Sequence, residues 1–170
     1  RQRAPSASFQ GIVCDLSNLA SVRAAAAEFI SLQLPLHVLM NNAGVMACPL
    51  SYTSDGLEMQ IGTNHVGHWL LTELLLPSLL ATAKSVRDSG APQCVRVVNV
   101  SSLANIVFPN DDGLDLSDLL YAKKGYNAWH RYGQSKLANI LHARELQRRL
   151  DASGNADVLA VALHPGTLFP

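Results

Sequence analysis

Tyr132 and Lys136 are the residues of this chain whose types and spacing suit proton chemistry. They open the stretch YGQSKLANILHARELQRRL, whose pattern predicts a helix over 132–150. On a helix, side chains four apart share a face, about 5–6 Å apart at Cβ. A phenol of ordinary pKa, about 10, is a poor proton donor or base at neutral pH. A neighbouring ammonium stabilises the phenolate and lowers that pKa, which turns the pair into an acid–base couple. An amphipathic helix with a surface lysine has the same spacing. The pair therefore gains meaning only from what the rest of the chain places beside it.

The elements that must position it alternate. FQGIVCDL (9–16) reads as a short strand, and a helix over 17–33 follows, capped by Asp15 or Ser17. Its apolar face is Val22, Ala25, Ala26, Phe29 and Ile30. The apolar run 36–41 predicts a buried parallel strand that exits through Asn41-Asn42-Ala43-Gly44. Residues 54–85 predict one long helix or two abutting ones, with Gly62 and Gly67 flanking Asn64 and Pro77 as a kink or restart. CVRVVNVSS (94–102) is the strongest strand pattern, and DVLAVALHPG (157–166) is the last. An acidic, turn-rich insertion occupies 103–131. Strand–helix alternation predicts one domain over 1–170, a parallel α/β sheet with helices on both faces.

Ligands of such sheets bind beyond the carboxyl ends of the strands. Polar residues recur there: Asp15, Asn41-Asn42, Ser101-Ser102 and His164-Pro165-Gly166. Each alone has a plain reading, Asp15 as a helix cap and Asn42 or Ser102 as a turn residue. Their recurrence at four strand ends, on the edge where the Tyr132 helix starts, predicts a nucleotide-type cleft.

Composition narrows the class. The chain is 48% hydrophobic, enough for a core, and its 13 basic and 13 acidic residues cancel. That balance gives no electrostatic basis for binding nucleic acid. Cys14, Cys48 and Cys94 are odd in number and widely spaced, which suits reduced thiols in a reducing compartment. No uninterrupted apolar run reaches membrane-spanning length, and LLTELLLPSLL reads as a core face. His65 and His68 lack a third ligand at matching spacing, so no metal is expected.

Five motifs in this order resemble the short-chain dehydrogenase/reductase family: NNAG (41–44), Asn64 in the next helix, Ser101-Ser102, Tyr132-x-x-x-Lys136 and Pro165-Gly166. NNAGVMACP, TNHVGHWLLTELLLPSL, VNVSSLA and YGQSKLANIL are similar to its group containing the retinol dehydrogenases and the WW-domain-containing oxidoreductase. The resemblance implies a Rossmann-like doubly wound sheet and hydride transfer between NAD or NADP, with NADP favoured, and an apolar alcohol or carbonyl. It implies Tyr132 as proton donor or base, Lys136 as the group that lowers its pKa and binds the nicotinamide ribose, and Ser102 as holder of the substrate oxygen. Asn64 would kink its helix and place a water. Asn42, Ala43 and Gly44 would line the adenosine side, Asp15 would contact the adenine with Leu16 beside it, and Pro165, Gly166 and Thr167 would flank the nicotinamide. A homodimer through the Asn64 and Tyr132 helices is expected, in an intracellular, cytoplasmic setting, with organelle or membrane association through segments outside this chain left open.

The family's glycine-rich phosphate loop has no counterpart before Phe9. The chain is therefore expected to be an internal fragment with an incomplete sheet, in which 9–16 and 36–41 do not pair as native neighbours, because in the 3-2-1-4-5-6 order two other strands lie between them. Two alternatives stand beside the dehydrogenase reading. One is a sugar-nucleotide epimerase or dehydratase, which NNAG, HPG and Asn64 argue against. The other is a cofactor-incompetent fragment or non-enzymatic regulatory module.

Overall fold

The computed structural model describes residues 8–91, 94–108, 113–114, 118 and 125–166. Three parallel strands, β1 (Val38–Asn41), β2 (Val95–Val100) and β3 (Val158–Leu163), lie in that order in one sheet. The helices are α1 (Leu19–Ser31), the single turn α2 (Met59–Ile61), α3 (Gly67–Ser89), α4 (Ala104–Val107) and α5 (Ala128–Ala152). A π-helical turn, Gly62–Val66, joins α2 to α3.

The register sets Leu39 beside Val97 and Val97 beside Ala160. This row, with Val95 and Val158, meets Leu75, Leu79 and Ala83 of α3 and Leu146 and Leu150 of α5 in one core. Both crossover helices thus pack on the same face. Two successive crossovers of one hand, stepping the same way across a sheet, produce that arrangement. α1 packs on α3 and adds Ala26 to the same core. On the other face Val38, Met40, Leu159, Val161 and Leu163 stand exposed. The expected helices are therefore met on one face among the described residues.

The expected strand 9–16 forms no ladder among the described residues: Phe9 and Val13 are 91% and 87% exposed. A strand exists only through a partner, and β1 pairs with β2 alone. As expected, 9–16 and 36–41 do not pair.

Helix limits shift for local reasons. Asn18, rather than Asp15 or Ser17, caps α1, accepting from the N–H groups of Ala20 and Ser21. The expected run 54–85, one long helix or two abutting ones, starts later, because Glu58 caps α2 by accepting from Gln60 N and Ile61 N. It continues through Pro77 to Ser89. Gly90 ends it at φ 66°, a left-handed position glycine takes at low cost. Met59–Ser89 is long and apolar enough to cross a membrane; here Leu70, Leu75, Leu79 and Ala83 bury its inner side in the core. α5 starts four residues before Tyr132, capped by Asn127 through Trp129 N and His130 N. The expected insertion also holds α4.

Candidate active site

A cavity of about 540 Å³ opens at the carboxyl ends of the three strands. The chain just after β1 contributes Asn42 and Gly44, that just after β2 contributes Ser101 and Ser102, and the turn after β3 contributes His164, Pro165 and Gly166. Tyr132 and Lys136 of α5 face in, and Val45 and Met46 form an apolar wall. Seven of the sequence-predicted residues thus share one cavity.

The start of α5 is fixed to the end of β2. Ser101 Oγ donates to the Lys136 carbonyl (2.8 Å), and Lys136 Nζ donates to the Val100 carbonyl (3.1 Å). Nζ lies 5.5 Å from the centre of the Tyr132 ring. The helical spacing thus sets ammonium beside phenol as anticipated. Lys136 is buried, and that burial lowers its pKa from the usual lysine value, since a low dielectric disfavours the charged form. The Ser102 hydroxyl accepts from Ala104 N (3.2 Å) and its carbonyl from Asn105 Nδ2, so the turn into α4 holds it at the rim.

Asn64 sits one layer behind the cavity in the π-helical turn. Its Oδ1 accepts from Val45 N (2.8 Å), and its Nδ2 donates to the Val45 carbonyl and to Ser135 Oγ (both 2.9 Å). Ser135 Oγ donates to the Tyr132 carbonyl (2.8 Å). Asn64 therefore links the wall to the helix of Tyr132. A Cβ on Gly44 would come 2.7 Å from Asn64 Oδ1, so only glycine lets the chain pass this close.

Three predicted cofactor residues lie apart. Ala43 is exposed and does not line the cavity, and neither do Asp15 and Leu16. Asp15 Oδ1 accepts from Ser17 N (2.9 Å) and Ser17 Oγ (2.7 Å), bonds that lower its pKa. Thr167 lies outside the described residues. Leu16 rests on α3 at Gly67, where a Cβ would meet the Leu16 carbonyl at 2.5 Å. Gly67→Ala must push the 14–17 segment off α3. The expected result is a rise of about tenfold or more in dinucleotide Kd of the full-length protein, by the overpacking that such a clash produces. An unchanged Kd in titration calorimetry would detach this segment from cofactor binding.

Sequence reading missed a buried polar layer around the cavity. Glu58, Gln60 and Arg131 are each 0% exposed, and Tyr126 joins them. Glu58 and Arg131 are 73 positions apart, so no local pattern marks the pair. A second layer lies between α3 and α5. His65 Nδ1 lies 3.2 Å from Asn139 Oδ1, and His68 Nδ1 lies 3.0 Å from the Asn64 carbonyl. Both partners are acceptors, so each ring donates through Nδ1. The helix histidines therefore bond to protein groups, and no group of metal-binding side chains occurs among the described residues.

His142 Nδ1 accepts from Asn99 Nδ2 (3.1 Å), and burial pushes its pKa down to about 4. Burial lowers His65 and His68 too. The unfolded chain protonates near pH 6.5, while folded His142 stays neutral until about 4. Between these values the unfolded state binds the extra proton, so stability falls as pH drops. His142 alone should cost on the order of 3 kcal/mol across that window. His142→Asn, which keeps an acceptor for Asn99, should flatten the profile in denaturation measured from pH 7 to 4; an unaltered slope would place the loss elsewhere.

The family model for short chain dehydrogenases matches residues 1–110. Human retinol dehydrogenase 11 is 49% identical over 158 residues, 91% of this chain and 43% of its own length. The chain thus spans under half of that relative. A crystal structure of a putative uncharacterized protein from Mycobacterium paratuberculosis superposes with a TM-score of 0.72 at 44% identity, over 90% of this chain and 48% of the other. The Pseudomonas aeruginosa RhlG/NADP active-site complex superposes at 0.62 with 28% identity, over 92% of this chain and 52% of the other. With the family model spanning well over half its length, this chain belongs to the short chain dehydrogenase family.

Proposed function

We propose that the protein containing this chain is an NAD(P)-dependent oxidoreductase that interconverts an apolar alcohol and its carbonyl compound. The observation that carries the reading is the single cavity shared by Tyr132, Lys136 and Ser102 at the carboxyl rim of a parallel sheet. The cavity suits the nicotinamide half of a dinucleotide. It is flanked by Pro165 and Gly166, Lys136 offers a donor within it, and Gly44 lines it. When bound, the cofactor supplies or accepts the hydride.

The chain's own residues handle the proton. In the reducing direction the Tyr132 hydroxyl gives its proton to the substrate oxygen; in the oxidising direction the phenolate takes it back. Lys136, held by the Val100 carbonyl beside the ring, stabilises the phenolate. The Ser102 hydroxyl at the rim donates to the substrate oxygen as charge develops on it. Asn64 keeps Val45 and the Tyr132 turn in fixed relation through Ser135, in addition to any water it orders.

An apolar substrate follows from the wall of Val45 and Met46 and from the exposed Leu103, Ile106 and Val107 next to Ser102. The name of the human relative points the same way, and the NADP of the Pseudomonas complex favours NADP. Trp69 of α3 and Leu141 of α5 are exposed, in keeping with a homodimer through these helices. The test is nicotinamide absorbance with full-length protein, NADPH or NADH, and a panel of carbonyls including all-trans-retinal. Turnover that prefers long apolar members supports the reading. Cofactor binding without turnover of any member would leave the non-enzymatic module in its place.

A further inference from the structure

The wall opposite Tyr132 is held in a conformation that its own sequence does not favour. Ala47, next to Met46, has φ 49°, a left-handed value that non-glycine residues avoid. The surrounding structure must supply what holds it there. Three side chains clamp this backbone in sequence. Asn64 takes both polar groups of Val45. Gln60 Oε1 accepts from Ala47 N (2.8 Å). The Tyr126 hydroxyl approaches the Cys48 carbonyl at 2.9 Å as a donor.

Gln60 and Tyr126 are also tied to each other and to the catalytic helix. Gln60 Nε2 donates to the Tyr126 hydroxyl and to the carbonyl of Ala128, the first residue of α5 (both 2.9 Å). Gln60 is fully buried, with its acceptor and both its donor hydrogens engaged. Such a fully satisfied buried network fixes one arrangement of the parts it joins. Here the parts are the apolar wall and the start of the helix carrying Tyr132.

We propose that Gln60 and Tyr126 are positioning residues that hold the Val45–Met46 wall at a fixed distance from Tyr132, and thereby set the preference of the site for long apolar carbonyls over short ones. The inference rests on the proposed oxidoreductase reading for its kinetic part only. A long substrate needs the wall in place along its length, whereas a short one needs only Tyr132 and Ser102. Loosening the wall therefore raises KM for the long substrate and leaves the chemical step intact.

The experiment uses full-length protein with NADPH and two probes, all-trans-retinal and butanal, and compares wild type, Tyr126→Phe, Gln60→Glu and Tyr126→Phe/Ala47→Gly. Hydrogen exchange of the peptide spanning 44–49 is followed in parallel. Tyr126→Phe should raise KM for retinal about tenfold, with kcat within threefold and KM for butanal within twofold. Exchange at 44–49 should quicken about tenfold. Gln60→Glu, which keeps the acceptor for Ala47 N and loses both donors, should shift the same quantities the same way. Ala47→Gly on the Tyr126→Phe background should return KM for retinal to within threefold of wild type, since glycine takes the left-handed turn at low cost. Equal KM rises for both probes, unchanged exchange at 44–49, or no rescue by glycine would each overturn the proposal. Wild-type protein that turns over neither probe would defeat the oxidoreductase reading; the exchange arm needs no substrate and still decides whether the brace exists.

Discussion

Tyr132→Phe should lower kcat of the full-length protein by about 10²–10⁴-fold, the range expected when a positioned general acid–base is removed. The substitution deletes one oxygen and keeps the ring. The ring stays against Lys136, whose Nζ lies 5.5 Å from its centre, so packing of the α5 turn is preserved. Substrate and dinucleotide affinities should therefore change by less than about threefold, and the loss should fall on kcat. Lys136→Met should give a related but distinct result. It removes the ammonium that favours the phenolate and leaves the Val100 carbonyl with Asn139 Nδ2 at 3.2 Å as a donor. kcat should then fall in both directions of the reaction, since no positive charge beside the ring offsets charge on the phenolate oxygen. Tyr132→Phe with undiminished kcat in steady-state kinetics would remove the assigned proton donor.

The second large effect is on stability. Glu58 Oε2 lies 3.2 Å from Arg131 Nε, and neither side chain is exposed. Glu58 also accepts from Gln60 N and Ile61 N, and Arg131 donates to Gln134 Oε1 (2.7 Å) and to the Asp118 carbonyl (2.9 Å). Removing one charge takes a close counter-charge from the other in a region closed to water. Glu58→Gln and Arg131→Met should each cost about 3–5 kcal/mol in urea unfolding, the range for a broken buried ion pair. The Glu58→Gln/Arg131→Met double variant should cost clearly less than the two losses added, because both single variants lose the same contact. Strict additivity would mean that the two side chains act independently.

Both predictions depend on helix α5, and its part in the site was only half legible from sequence. Spacing alone placed Tyr132 and Lys136 on one helical face, because the α-helical repeat is local geometry. The strand patterns at 36–41, 94–102 and 157–166 gave β1, β2 and β3, since β-branched runs between turn residues leave few alternatives. Their carboxyl ends located the cavity, a consequence of parallel alternation. Residues 9–16 suit a strand yet form no ladder among the described residues, because a ladder partner is not a local property. α5 starts earlier than the helical pattern at 132, because Asn127 caps it from outside that pattern.

What the chain's sequence determines by itself is thus the set of reactive side chains and the period that brings phenol and amine together. Only the tertiary structure decides what stands opposite them: Gln60 and Tyr126 beneath a strained Ala47, Glu58 against Arg131, and the Leu16 carbonyl against Gly67. The physical reason is distance along the chain. Helix and strand periods act over a few residues, whereas these partners, 13 to 78 positions apart, meet only after the core has closed around them.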